Sequence, residues 1–138
     1  EMCIRDSLSG VLTTLCSVLT LSLAFRLSHE EYVTLLPKSI TTAIGMGVSE
    51  ELGGYVTLTV AMIIITGILG NVIAVAVCRV LRITEPIAKG VAIGSAAHAL
   101  GTAKAIEIGE VEGAMSGLSI VVAGLLTVVG ASVFANFL

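Results

Sequence analysis

Two long stretches of this chain carry no charge at all. Residues 52–78 and residues 113–138 contain no Asp, Glu, Lys or Arg. As helices, runs of that length extend about 40 Å, more than the hydrocarbon core of about 30 Å requires. Charged residues make up 12 % of the 138 residues and hydrophobic ones 56 %, so a polar coat for a soluble globule is lacking. The chain is therefore expected to be an all-α, polytopic integral membrane protein that takes the lipid bilayer as its first partner.

Other classes fall away quickly. A net charge of −3 without any Lys/Arg run gives no support for nucleic-acid binding. The three cysteines (Cys3, Cys16 and Cys78) form no CxxC or Cys/His cluster, so no metal site is expected. No catalytic residue and no cofactor is expected either, and the chain is read as a non-enzyme.

Five segments reach membrane depth in this reading. Residues 8–27, 53–77 and 114–137 are long enough to cross. Residues 36–48 and 90–105 are too apolar for loops and too interrupted for ordinary spans, and are expected to be broken helices. The breaks are assigned to Pro37, Gly45 and Gly47 in the first and to Gly94 and Gly101 in the second. If both short segments cross, Arg26, Arg79, Arg82 and Lys89 share one side; if both are re-entrant, Arg26 and Arg79 lie on opposite faces. The positive-inside rule favours crossing, with the basic loops and the C-terminus in the cytoplasm. Ala43-Ile44-Gly45 recurs as Ala92-Ile93-Gly94, a weak echo that chance explains about as well as a repeat.

A helix broken inside a membrane exposes N–H groups and a positive dipole end, which suit a small carboxylate. Both interrupted segments carry hydroxyls and a nearby lysine. The candidate substrate-binding residues are Lys38, Ser39, Thr41 and Thr42 in the first, and Ser95, His98, Thr102 and Lys104 in the second. His98 stands among small residues, and an ionisable group at that depth is a functional candidate by default. Lys104 either joins this site or snorkels to pair with Glu107. Asn71 is expected to bond a neighbouring helix. The Gly90/Gly94 and Gly113/Gly117 spacings are read as close packing within one subunit before a dimer face.

The first seven residues, EMCIRDS, do not resemble the rest of the chain. They match the translation of a transposase adapter used in sequencing libraries. Residues 1–7 are accordingly expected to be non-native, with residues 8–138 forming one transmembrane domain truncated at its N-terminal side.

The strings LPKSITTAIGMGVSEELGG (36–54), KGVAIGSAAHALGTAKA (89–105) and EVEGAMSGLS (110–119) together resemble the LrgB/CidB family. The resemblance covers essentially everything from Leu8 onward. It implies a multi-pass protein of the bacterial cell membrane, antiholin-like or holin-like, that governs murein hydrolase activity and autolysis beside a small LrgA/CidA-like partner. Relatives described as carriers of glycolate, glycerate or pyruvate imply small-monocarboxylate transport. Residues matching the family pattern are Pro37, Lys38, Ser39, Thr41, Thr42, His98, Gly101 and Thr102. Departures are Ala43 where many relatives have Pro, Gly45 where they have Ala, and Ala97 where they often have Ser. A homo-oligomeric transporter of a pyruvate- or glycolate-type anion is the leading expectation, with a holin-like assembly as the alternative.

Overall fold

A computed structural model describes residues 2–138, with side chains from Ile4 onward; Glu1 and the side chains of Met2 and Cys3 lie outside the described residues. Every regular element among the described residues is helical. They are α1 (Met2–Phe25), α2 (His29–Leu35), α3 (Thr42–Leu52), α4 (Val56–Val80), α5 (Pro86–Ile108) and α6 (Glu110–Phe134), followed by a short 3-10 turn at Ala135–Phe137. Three helices are long and apolar enough to cross a membrane: Ile4–Phe25, Val56–Val80 and Glu110–Phe137. Their outer faces leave Ile64, Ile68, Val72, Val121, Leu125 and Val129 exposed. Such a surface is unfavourable in water and suits hydrocarbon, where a helix satisfies its own backbone. Of the five expected segments, three are thus long helices, and the other two have a different form.

The first short stretch is a helical hairpin. Ser28 and Glu31 start α2 with a reciprocal capping box, bonded at 3.2 and 2.8 Å. Pro37 follows its C-cap; lacking an N–H and crowding the preceding turn, it ends the helix. The chain then turns through residues 36–41, with Lys38 N bonded to Leu35 O (3.2 Å) and Ile40 N to Pro37 O (3.4 Å). Thr41 opens α3, which runs back and stops at Gly53 in the left-handed conformation (φ 82°), a position that favours glycine. The two ends of the hairpin meet at the start of α4. Tyr55 N donates to Thr34 Oγ1 (2.8 Å), and the buried Thr59 hydroxyl bonds Thr34 O (2.9 Å) and Ser49 Oγ (2.7 Å). Gly45 and Gly47 are helical within α3, so the reversal rests on Pro37 and the turn after it.

The second short stretch reverses inside α5. His98 has φ 43° and ψ −140°, far from helical values. In a straight helix Gly94 and Thr102 would be about 12 Å apart along the axis. Here both reach the same residue: a β-carbon on Gly94 would stand 2.8 Å from Ser116 Oγ, and Thr102 Oγ1 lies 2.6 Å from that oxygen. A β-carbon on Gly101 would likewise lie 3.0 Å from Ile93 Cγ2, and Ile106 packs against Gly113. Residues 86–97 and 99–108 are therefore two antiparallel arms joined at His98. Gly94 and Gly101 are not the breaks expected from the sequence; they are the close contacts that let the arms approach α6 and each other.

Helices α4 and α6 thus each follow a hairpin, and the two hairpin–helix units run in opposite directions. The first hairpin opens at the N-terminal end of α4. The second opens at its C-terminal end, where Ile108 shares a cleft with Cys78, Arg79 and Lys89. From there α6 returns, and the Tyr32 phenol donates to Phe134 O (2.7 Å) at the far end. The C-terminus and the loop carrying Arg79, Arg82 and Lys89 consequently lie at opposite ends of the bundle. This corrects the crossing topology, which had placed them together. Helix α1 packs across both units, with Leu15 beside Gly130 and Gly10 beside Ser95. Val11, Leu15 and Val18 join Tyr32, Leu36 and Ala131 in the larger core.

Candidate functional site at the two hairpin turns

The reversal at His98 and the second arm of the first hairpin meet on a single residue of α4. His98 is buried (3 % exposed), and its Nε2 lies 2.9 Å from Ile63 O. A carbonyl only accepts, so Nε2 is the donor, and in the neutral ring Nδ1 is left as acceptor. From the other hairpin, Gly45 packs against Ile63 Cδ1 and lies near Pro37 O. Ile63 is seven residues into α4, and Ile44 of the first hairpin approaches Gly124 near the middle of α6.

Small residues make this junction fit. A β-carbon on Gly67 would stand 2.6 Å from His98 Cε1, and Gly70 abuts Ala97. Asn71 Nδ2 donates to Leu100 O (2.7 Å), fixing the start of the second arm, as expected of an amide inside a span. Thr102 Oγ1 bonds His98 O (3.0 Å) as well as Ser116, so its hydroxyl holds the turn in place.

In the first hairpin, Lys38 is half-buried and donates to Ser39 Oγ at 3.0 Å. The only ion pair among the described residues is Lys104–Glu107, which leaves Lys38 without a carboxylate. Thr41 gives α3 no side-chain cap, so the first N–H groups of α3 are free of that bond beside Lys38. The second arm of α5 also begins at its turn. Two helix N-termini and one lysine therefore stand at the two turns, an arrangement able to hold a small anion, while the His98 Nε2–H is taken up by Ile63 O.

The sequence-derived candidates separate accordingly. Lys38, Ser39, Thr41, Thr42 and His98 sit at or beside the turns. Ser95 lies one turn before His98, bonded to Val91 O (2.7 Å). It borders a cleft of about 520 Å³ between α1 and α5, shared with Asp6, Ser9, Thr13 and Thr14. Lys104 is remote from the turns, paired with Glu107 at 2.6 Å near the open end of the hairpin. Ile63, Gly67, Ser49, Thr59 and Ser116 were not anticipated. A glycine in α4 facing a histidine was the one signal available, but its partner was not readable from the sequence.

Fold and site together define a polytopic helical membrane protein built from two oppositely directed hairpin–helix units. The LrgB-like family model matches residues 3–137, and the chain belongs to that family. It is 42 % identical over 120 residues to the holin-like protein CidB of Staphylococcus aureus, covering 87 % of this chain and 52 % of that protein. The holin-like protein CidB of Staphylococcus epidermidis is 40 % identical over the same length and coverage. The uncharacterized protein YwbG of Bacillus subtilis is 41 % identical over 105 residues, 76 % of this chain and 47 % of that one. The chain spans about half the length of these relatives. No solved structure matches it.

Proposed function

We propose that this chain forms the anion site of a carrier for small monocarboxylates of the pyruvate or glycolate type, in a bacterial plasma membrane. The observation that carries this reading is the convergence of two oppositely directed hairpins on Ile63, through Gly45 of one and His98 of the other. In this reading both hairpins are re-entrant, and their backbone breaks are tolerated at depth because they are buried in protein or line a wet cavity. Half-helix N-termini near the midplane of inverted repeats are a known device for holding a substrate carboxylate. Lys38 supplies the countercharge, Ser39, Thr41 and Thr42 supply hydroxyls, and His98, its Nε2 held by Ile63 O, leaves Nδ1 to accept a hydrogen bond.

The positive-inside rule orients the molecule. Arg79, Arg82, Lys89 and Lys104 lie at one end, whereas Arg26 alone marks the other. The end bearing the four cations is cytoplasmic, which sends the C-terminus to the outer face. The sequence-based expectation was the reverse.

A second reading has its own support, because the similar staphylococcal proteins bear the name holin-like. A homo-oligomeric assembly beside a small LrgA/CidA-like partner would then control murein hydrolases. Uptake of labelled pyruvate and glycolate distinguishes the two. It is measured in cells expressing this chain with and without such a partner, and with the same substitutions in the S. aureus relative, about twice as long. A carrier shows saturable uptake that His98→Ala abolishes. A holin-like pore gives dye leakage and altered autolysis indifferent to His98→Ala and Lys38→Gln.

A further inference from the structure

The carrier site does not use the strongest uncompensated positive cluster in the molecule. Arg79, Arg82 and Lys89 converge on a cleft of about 490 Å³ at the C-terminal end of α4, together with Thr84, Cys78 and Ile108. None of the three cations has a carboxylate within ion-pair distance, since Lys104–Glu107 is the one such pair among the described residues. Arg82 holds a left-handed backbone (φ 55°), a position where glycine would be the conformationally easy choice.

This basic cleft continues into an apolar one. Cys78 and Ile83 line both. The second, about 230 Å³, has no polar lining and runs between α4 and the first arm of α5, along Ile73, Ala74, Val77, Ala92 and Ala96. Along α4 and its C-cap it extends from Gly70 to Leu81. That is about 16 Å at helical rise, close to half of a hydrocarbon core of about 30 Å, or one leaflet.

We propose that this composite groove binds an anionic phospholipid of the surrounding leaflet. Its phosphate lies on Arg79, Arg82 and Lys89, with the Thr84 hydroxyl alongside, and one acyl chain lies in the apolar groove. Basic pockets between helices at a membrane interface are suited to such headgroups, and a chain-length groove beneath the charges selects a lipid over a free anion. The second hairpin forms one wall of this groove, so bound lipid braces its open end.

The test is retention of phosphatidylglycerol against phosphatidylcholine by the full chain purified in detergent, read by native mass spectrometry. Wild type is expected to retain phosphatidylglycerol preferentially, with a loss of about fivefold for each of Arg79→Gln, Arg82→Gln and Lys89→Gln. Arg79→Lys and Arg82→Lys keep retention, and Arg26→Gln at the opposite end leaves it unchanged. Ala96→Leu fills the apolar groove and lowers retention without touching a charge. Equal retention of the two lipids, or retention unchanged in the triple Gln variant, would overturn the assignment. Displacement of the lipid by inorganic phosphate alone, with Ala96→Leu silent, would also overturn it and identify a free-anion site.

Discussion

His98 occupies a backbone conformation that a side chain makes costly. A non-glycine residue at φ 43° carries strain of about 1–3 kcal/mol, which the surrounding contacts must offset. Glycine would make the same turn without strain, so keeping a histidine there implies a use for the ring. His98→Gly is therefore expected to change thermal stability in detergent by no more than about 1 kcal/mol, because relieved strain offsets the lost bond to Ile63 O. Uptake in the same variant is expected to vanish. Gly67 is the complementary case: Gly67→Ala puts a β-carbon 2.6 Å from His98 Cε1 and should destabilise by about 1–3 kcal/mol. Its melting temperature checks this directly.

At the scale of elements, each hairpin is tied to its long helix by a pair of hydroxyls. Ser49 meets Thr59 at 2.7 Å, and Thr102 meets Ser116 at 2.6 Å. These pairs join the second arm of each hairpin to the helix after it. Thr59→Val leaves Ser49 Oγ and Thr34 O without this partner and should cost about 1 kcal/mol, measurable by thermal unfolding in detergent. The long helices were readable because their uncharged runs exceed the membrane thickness. The hairpins were not, for physical reasons. Residues 86–108 have the length of one span, and the residue that reverses them is a histidine, whereas the sequence pointed to Gly94 and Gly101 as the break. In the first hairpin Pro37 was read as a break, but a single residue does not reveal that the chain doubles back. The Ala-Ile-Gly echo misleads for a related reason: Ala43 lies in a second arm and Ala92 in a first arm, so the two strings are not structural equivalents. Asn71 and the Gly90/Gly94 pair were legible because polar and small residues inside spans have few uses besides helix contact.

The inversion decides what the whole molecule can do. Two crossing segments would leave a bundle of parallel and antiparallel spans with no shared turn. Two oppositely directed hairpins bring Gly45 and His98 to one α4 residue and close the bundle around it. The sequence offered His98 as a candidate by its chemistry, but not the point where the two hairpins meet, since Ile63 carries no polar side chain to mark it. Topology is therefore the most direct test. In a chain whose native cysteines are replaced, single cysteines at Thr84, Glu110 and Asn136 are labelled with a membrane-impermeant thiol reagent from each side. Thr84 and Glu110 are expected to react from the same face and Asn136 from the opposite one. Thr84 and Glu110 reacting from opposite faces would mean that residues 86–108 cross the membrane as a single span, and the paired-hairpin site at Ile63 would be lost.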